Sequence, residues 1–219
     1  MRIYAVADIH GKKHHMAAIY GVLDKYQPDM MVVAGDLSNY FNWKTCLAQL
    51  DSLPVPVFAV RGNTDFKRIE PGIEKAGNID LLTSIPKEIE GFSFVGASGT
   101  MILPFASRIS LSENQALSAL PCPMDKEFVL VVHPPPKGVC DRVAGKISAG
   151  SKNLARFIKK ARPGLVLCGH IHEQAGKDLL GESIVVNCAM SKSSLGAVID
   201  LRKGDDARVN LLRLDSIGC

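Results

Sequence analysis

The sequence of 219 residues has few cysteines and no long apolar run. Its six cysteines are dispersed, without a Cys-x-x-Cys pair, in a chain too large to need disulfide staples. We therefore expect reduced, mostly buried thiols and a cytoplasmic protein. The apolar stretch at residues 3–7 ends at Asp8, so it is too short for a signal peptide or a membrane span. We accordingly expect no membrane association.

Long runs of one charge are also missing. The formal net charge is only +4, and lysine and arginine are scattered, with short pairs such as Lys159–Lys160. This distribution gives little support to a nucleic-acid partner. Internal repeats and low-complexity segments are absent as well. At this length, with 47% hydrophobic residues, we expect residues 1–219 to form a single domain with one sizeable core.

The chain contains instead an alternation of short apolar runs with helix-like segments. Residues 2–7, 30–34 and 55–60 are predicted strands, separated by predicted helices at 12–26 and 42–50. Such units place parallel strands side by side. Further strands are predicted at 92–95, 128–132, 165–168, 184–186, 197–201 and 208–214, and further helices at 69–76, 112–120 and 151–161. The strand-rich last quarter indicates two packed sheets with helices outside.

Polar side chains follow several of these strands at the point where each strand ends. They are Asp8, His10, Asp36, Asn63, His133, His170 and His172. Because the carboxyl ends of parallel strands meet at one edge of a sheet, we expect these side chains to lie together. Imidazole is the commonest metal-binding side chain, so the pattern favours a metal site.

The pair His170 and His172 carries this prediction most clearly. Residues i and i+2 of an extended chain point to the same side, so both imidazoles are expected to aim at one point. Gly169 lets the backbone turn there without a side chain in the way. An isolated His-x-His is at least as often two unrelated surface histidines, which is why the other strand ends matter.

Other interpretations stay open for single residues. Asp8 and Asp36 could cap the helices that follow their strands. Asn63 and Asp65 could be turn residues, which is the interpretation that we favour for Asp65, with a hydrogen bond to a ligand as an addition. The two histidines of the first predicted helix, His14 and His15, are expected to be solvated or packed.

Taken together, five sequence blocks resemble those of the calcineurin-like metallophosphoesterases. The blocks are Asp8-Ile-His10, Gly35-Asp36, Gly62-Asn63-Thr64-Asp65, His133 and Gly169-His170-Ile-His172. Their order, strand-end placement and residue types all match, and the layout is similar to that of the small prokaryotic phosphodiesterases of this family. The resemblance implies an α/β fold of two central mixed β-sheets packed as a sandwich, with helices on the outer faces and a two-metal site between the loops.

The resemblance also implies how the two metal ions are held. Asp36 would bridge both ions. The first site would add Asp8, His10 and His172, and the second would add Asn63, His133 and His170. Oxygen and nitrogen donors suit manganese, which we expect, and equally iron, zinc, cobalt or nickel. The absence of thiolates in the blocks argues against a structural zinc site.

The implied activity is hydrolysis of a small-molecule phosphate ester, with phosphodiesters preferred. A hydroxide bridging the two metals would attack phosphorus, and we expect Asp36, Asn63 and His133 to take part in catalysis. Two alternatives stay open. A phosphomonoesterase would differ only in the shape of its pocket. A protein-binding scaffold of the same fold, with a vestigial metal site, would expose a large apolar patch.

One position departs from the family pattern in a way that bears on the chemistry. Thr64 stands where the family usually has a histidine, which is thought to stabilise the transition state and to protonate the leaving oxygen. A threonine hydroxyl is far too weak an acid for that role, so substrates with poor leaving groups should be hydrolysed slowly.

Four residues are predicted to contact the substrate, namely Arg61, Lys12, Arg142 and Thr64. The segment 134–150, rich in proline and glycine, is predicted to be a loop over the site.

Overall fold

The computed structural model describes residues 1–39, 41–98, 116–122 and 125–214. The helices are α1 (Lys13–Tyr26), α2 (Trp43–Asp51), α3 (Glu70–Glu74) and α4 (Lys152–Ala161), with short 3-10 turns at Lys67–Ile69 and His172–Gln174. The strands are β1 (Arg2–Val6), β2 (Met30–Ala34), β3 (Val57–Val60), β4 (Ile79–Leu81), β5 (Lys87–Ile89), β6 (Phe92–Ala97), β7 (Phe128–Val132), β8 (Arg142–Val143), β9 (Ile147–Ser148), β10 (Leu165–Cys168), β11 (Gly176–Leu180), β12 (Ser183–Asn187), β13 (Ser194–Asp200) and β14 (Arg208–Arg213).

The strands form two mixed six-stranded sheets and one small hairpin. The first sheet has the order β14-β13-β1-β2-β3-β4, the second β11-β12-β10-β7-β6-β5, and β8 pairs with β9. The neighbours β1, β2, β3 and β4 are parallel, as are β6, β7, β10 and β12. The carboxyl ends of neighbouring parallel strands therefore meet at one edge of each sheet.

Alternation along the strands shows that the sheets pack face to face with helices outside. In β1, Ile3 and Ala5 belong to the apolar cluster shared by the two sheets, whereas Tyr4 and Val6 pack in the cluster with α1, α2 and α3. In β7, Val131 faces the other sheet and Leu130 packs with α4. Strands that are covered on both faces consist of continuous apolar residues, as the predicted strands of this sequence do. The predicted sandwich is confirmed.

Most predicted elements are confirmed to within a few residues, and the exceptions are short. The strands β4, β5 and β11 were not predicted. The segment 134–150 was predicted to be a plain loop, and that prediction is incomplete, because the segment contains the hairpin β8–β9. Its backbone is held by the buried carboxylate of Asp141, which accepts from Gly138 and Gly150 N–H. Of the helix predicted at 112–120, residues 116–118 are helical and 112–115 lie outside the described residues. No helix in the described ranges has the length and apolar character needed to cross a membrane.

Candidate metal centre

The candidate ligands gather where the carboxyl ends of five strands meet. Asp8, Asp36 and Asn63 follow the adjacent strands β1, β2 and β3 of the first sheet, and His133 and His170 follow the adjacent strands β7 and β10 of the second. Backbone hydrogen bonds tie neighbouring loops together. Asp8 N–H donates to Gly35 O at 3.0 Å, and Gly169 N–H donates to His133 O at 2.8 Å. The predicted convergence at the strand ends is therefore what the fold produces.

The backbone at these strand ends is left-handed rather than extended. The φ angles are 60° at Asp8, 52° at His10, 53° at Asp36 and 72° at His170. Non-glycine residues seldom adopt such angles, and those that do cluster at functional sites. The expectation that His170 and His172 aim at one point is wrong, because the chain turns at His170, whose imidazole contacts Asn63 and His133, while that of His172 contacts Asp8.

Asp8, His10 and His172 make up one half of the site. Nε2 of His172 lies 3.0 Å from Oδ1 of Asp8, and Nε2 of His10 lies 3.8 Å from the same oxygen. Oδ2 of Asp8 accepts the backbone N–H of His170 at 2.8 Å. Oδ1, in contrast, is buried, and the polar atoms facing it are these two imidazole nitrogens. A buried carboxylate oxygen facing two imidazole nitrogens fits a cation between them.

Asn63, His133 and His170 make up the other half. Oδ1 of Asn63 lies 2.9 Å from Nε2 of His133 and 3.0 Å from Nδ1 of His170, and the two nitrogens are 3.3 Å apart. Nδ1 of His133 lies 2.9 Å from the carbonyl oxygen of Ala34. With Nδ1–H donating to that carbonyl, Nε2 faces Asn63, and it can bind a metal when it carries no proton.

Asp36 lies between the two halves. Its Oδ2 is 3.9 Å from Nε2 of His10 and 3.5 Å from Nε2 of His133, while Oδ1 accepts the backbone N–H of Thr64 at 2.8 Å. Burial alone would raise the pKa of Asp36, but His133 lowers that pKa to about 2. Burial likewise opposes the charge of His133, yet Asp36 raises its pKa to about 9. A carboxylate this strongly stabilised by positive charge suits a position between cations.

Two candidate groups of metal ligands follow from these distances. One is Asp8, His10 and His172, and the other is Asp8, Asp36 and His133, with ligand atoms within 4.8 Å of one another in each group. The groups share Asp8, and Asn63 and His170 adjoin the second. The donors are oxygens and imidazole nitrogens, which fit divalent transition metals.

Close approach of the loops requires small residues at two positions. A side chain on Gly62 would collide with the carboxylate and backbone of Asp36, and one on Gly169 would collide with Asp8 and Ala7. These glycines let the strand-end loops touch, so their part in the site is steric rather than chemical.

Asp65 joins the Asp36 loop to the Asn63 loop. Its side chain is 3% exposed, and it accepts from the backbone N–H groups of Leu37, Ser38 and Gly62, each at 3.0 Å. Burial raises the pKa of Asp65, and these N–H donors oppose that rise. The carboxylate thus links two strand-end loops, which the simple turn interpretation did not anticipate. The capping interpretation of Asp8 and Asp36 is wrong, since the residues at the helix starts are Lys12 and Asn42.

The predicted substrate contacts differ in how they are placed. Oγ1 of Thr64 donates to Ser38 O at 2.9 Å and lies 3.5 Å from Nδ1 of His10. Thr64 is therefore at the site, but its hydroxyl proton is already engaged in the hydrogen bond to Ser38. Nε of Arg61 lies 2.6 Å from Glu70, an ion pair that competes with any substrate phosphate. Arg142 is exposed on the hairpin β8–β9. This hairpin contacts the 3-10 turn that begins at His172, because Ala144 N–H donates a hydrogen bond to Glu173 at 2.7 Å.

A groove of about 690 Å³ extends from the first half of the site. Lys12 and His172 line it, and so do residues that the sequence analysis did not assign to the site. They are His14, His15, Glu173, Ala175, Met190, Ser191, Lys192, Ser193, Ser194, Leu211, Leu212 and Arg213. The turn at residues 190–193 could have been found by the strand-end rule, because β12 is parallel to β10 and ends at the same edge. Of the two helix histidines, His14 is exposed, and His15 is buried with Nδ1 3.1 Å from Ile9 O.

Comparison with known proteins identifies the family and the fold. The family model described as calcineurin-like phosphoesterase matches residues 1–174. The uncharacterized protein MJ1162 of Methanocaldococcus jannaschii is 28% identical over 197 residues, which are 85% of this chain and 87% of that protein. TT1561 of Thermus thermophilus superposes with a TM-score of 0.65 at 17% identity, covering 96% of this chain and 98% of its own. A structure described as a novel archaeal phosphodiesterase has a TM-score of 0.57 at 15% identity, covering 97% and 100%.

Proposed function

The chain belongs to the calcineurin-like phosphoesterase family, and we propose that it is a binuclear metal-dependent phosphodiesterase acting on a small-molecule phosphate ester. The single observation that carries this proposal is the position of Asp36, whose Oδ2 faces His10 on one side and His133 on the other. A carboxylate that lies between the two halves of the site is what a pair of cations requires.

We assign the two halves of the site to two metal ions. Asp36 would bridge them, with Asp8, His10 and His172 on one ion and Asn63, His133 and His170 on the other. Manganese is the metal that we favour, and the donor set admits iron, zinc, cobalt or nickel. When bound, the ions would supply Lewis acidity toward water and the phosphoryl oxygens.

The protein's own contribution is to fix the ligands and to receive the ester. The carbonyl of Ala34 sets the tautomer and orientation of His133, and Asp65 holds the Asp36 loop. Lys12 and Arg142, both exposed beside the site, are our candidates for binding the negative charge of the substrate. Arg61 can do so only if it leaves Glu70.

The enzyme is favoured over the scaffold because the complete ligand set converges, which binding a protein partner does not require. We also propose that residues 1–219 act as one domain, since the site takes residues from both sheets. A cytoplasmic location is proposed from the cysteines, which form no disulfide within the described part of the chain.

Metal analysis of the purified protein, combined with a hydrolysis screen over aryl phosphomonoesters and phosphodiesters, tests the proposal. We expect bound transition metal and faster hydrolysis of diesters, abolished by chelator and restored by Mn²⁺. Monoesters cleaved faster than diesters would make the protein a phosphomonoesterase. Hydrolysis of neither class by metal-loaded protein would favour the scaffold.

A further inference from the structure

We propose that the substrate is an organic pyrophosphate, cleaved at its phosphoanhydride bond, whose second phosphate lies in the groove between Lys12 and Lys192. This inference rests on the proposed phosphoesterase function and specifies its substrate class. It is carried by two separate features of the molecule, which are the hydrogen bonding of Thr64 and the charge of the groove beside His172.

Thr64 cannot give a proton to a leaving group in this structure. Its hydroxyl has one proton, which it donates to Ser38 O at 2.9 Å. The same oxygen lies 3.5 Å from Nδ1 of His10, so it is directly beside the first group of ligands. Thr64 is therefore neither an acid of useful strength nor an available donor.

Without an acid at position 64, a leaving group that tolerates negative charge is favoured. An alkoxide is about as basic as hydroxide, whose conjugate acid has a pKa of about 15.7. A phosphate monoester released from an anhydride is a far weaker base, with a second pKa of about 6. An organic pyrophosphate also has one ester and one anhydride bond at the attacked phosphorus, so it presents the disubstituted phosphate of a phosphodiester.

The groove offers cations where that second phosphate would be. Lys12 and Lys192 are exposed and line it together with His172, so the groove begins at a candidate metal ligand. Its volume of about 690 Å³ suits a small organic ligand. The acid in its lining, Glu173, accepts a hydrogen bond from Ala144 N–H at 2.7 Å. The start of α1 also borders the groove, and its dipole adds positive potential.

The step balances without a further reactant. The oxygen of water forms a bond to the phosphorus at the metal centre, and the bond from that phosphorus to the bridging oxygen breaks. The bridging oxygen keeps the electron pair and leaves as the second phosphate, whose charge Lys12 and Lys192 would stabilise. The proton lost by water goes to solvent or to one of the product phosphates.

The kinetic test compares P1,P2-diethyl pyrophosphate with diethyl phosphate, which have the same alkyl groups, and uses bis(4-nitrophenyl) phosphate as the reference diester. We expect measurable cleavage of the pyrophosphate and little or none of diethyl phosphate. Lys12→Gln and Lys192→Gln should each lower kcat/KM for the pyrophosphate roughly tenfold. Both should lower kcat/KM for the nitrophenyl ester less. Lys13→Gln, an exposed neighbour that does not line the groove, is the matched control and should change neither.

The binding test uses methylenediphosphonate, which cannot be cleaved, titrated calorimetrically into chelator-treated protein. It should bind more tightly than methylphosphonate, and each lysine variant should weaken it roughly tenfold while Lys13→Gln does not. Equal effects of the lysine variants on all substrates, or binding that is unchanged in both variants, would overturn the inference. Hydrolysis of the nitrophenyl ester without these differences would overturn the inference alone, whereas metal-loaded protein that cleaves no ester at all would overturn the proposed function too.

Discussion

The hydroxyl of Thr64 lies 2.9 Å from the carbonyl oxygen of Ser38 and donates its proton there. Thr64 also donates its backbone N–H to Asp36 at 2.8 Å. The residue therefore supports the Asp36 loop and offers no proton to an ester at the site. Position 64 thus has a structural role in this chain, where a histidine would have a chemical one.

Thr64→His should accordingly change how rates depend on the leaving group. In the wild type, kcat/KM should fall steeply across a series of phosphodiesters as the pKa of the leaving group rises. A well-placed imidazole should flatten that slope, speeding alkyl esters by up to roughly 10²-fold and aryl esters less. Parallel slopes, with metal content and fold unchanged, would mean that another group, such as His14 in the groove, already protonates the leaving oxygen.

Asp65→Asn should destabilise the protein more than an exposed substitution does. The carboxylate receives three backbone N–H groups and the Ser38 hydroxyl. An amide would point its own N–H₂ at some of these donors and leave them buried and unpaired, which costs about 1–3 kcal/mol for each group. Thermal unfolding should show a Tm lowered by at least roughly 4 °C. Asp205→Asn, in an exposed turn, is the control, and an equal shift in both variants would restore the simple turn interpretation of Asp65.

His15 should make the metal-free protein sensitive to acid. Burial lowers the pKa of His15 to about 4, whereas an unfolded histidine titrates near 6.5. The unfolded state thus binds the extra proton between these values, so the stabilisation is complete above pH 6.5 and is lost as the pH falls toward 4. The free energy of unfolding should change by at most about 1.4 kcal/mol per pH unit through this group.

Denaturant unfolding of chelator-treated protein between pH 7 and 4 measures that contribution. His15→Gln should flatten the pH dependence relative to the wild type, while His14→Gln, at the exposed neighbouring position, should not. If the two variants had the same pH dependence, the buried environment of His15 would not be the cause.

Removal of metal should lower the stability of the wild type. Ligands that bind the folded state alone stabilise it by mass action, by about 2.7 kcal/mol at a concentration 100 times Kd. Excess chelator should therefore lower Tm by roughly 5–10 °C, and Mn²⁺ should restore it. An unchanged Tm after complete removal of metal would argue against preformed ligand groups.

The sequence was sufficient to bring the candidate ligands to one place because the ends of the strands can be recognised in it. Continuous apolar strands that stop at Asp8, Asp36 and His133 can be read directly, and parallel pairing brings their ends together. The sequence did not show which of the candidate ligands contact one another. These contacts depend on the left-handed backbone at Asp8 and His170. Residues other than glycine adopt that conformation only where surrounding contacts hold them in it.

Features of the structure that depend on long-range packing could not be predicted from the local sequence. The edge strands β4 and β5 have three residues each and are partly exposed, so they lack the continuous apolar pattern. Lys192 reaches the groove only because β12 lies parallel to β10. Asp65 accepts hydrogen bonds from residues that precede it by 27 and 28 positions in the chain, and no local sequence pattern indicates such a contact.

The central claim is that Asp36 holds two metal ions together for hydrolysis of a phosphodiester. Metal content and bis(4-nitrophenyl) phosphate hydrolysis, measured side by side in the wild type, in Asp36→Asn and in the exposed control Asp24→Asn, test it most directly. We expect about two metal ions per chain in the wild type and control, and loss of at least one ion with a rate lowered by at least about 10²-fold in Asp36→Asn. An Asp36→Asn protein that keeps both ions and the full diesterase rate would contradict the claim.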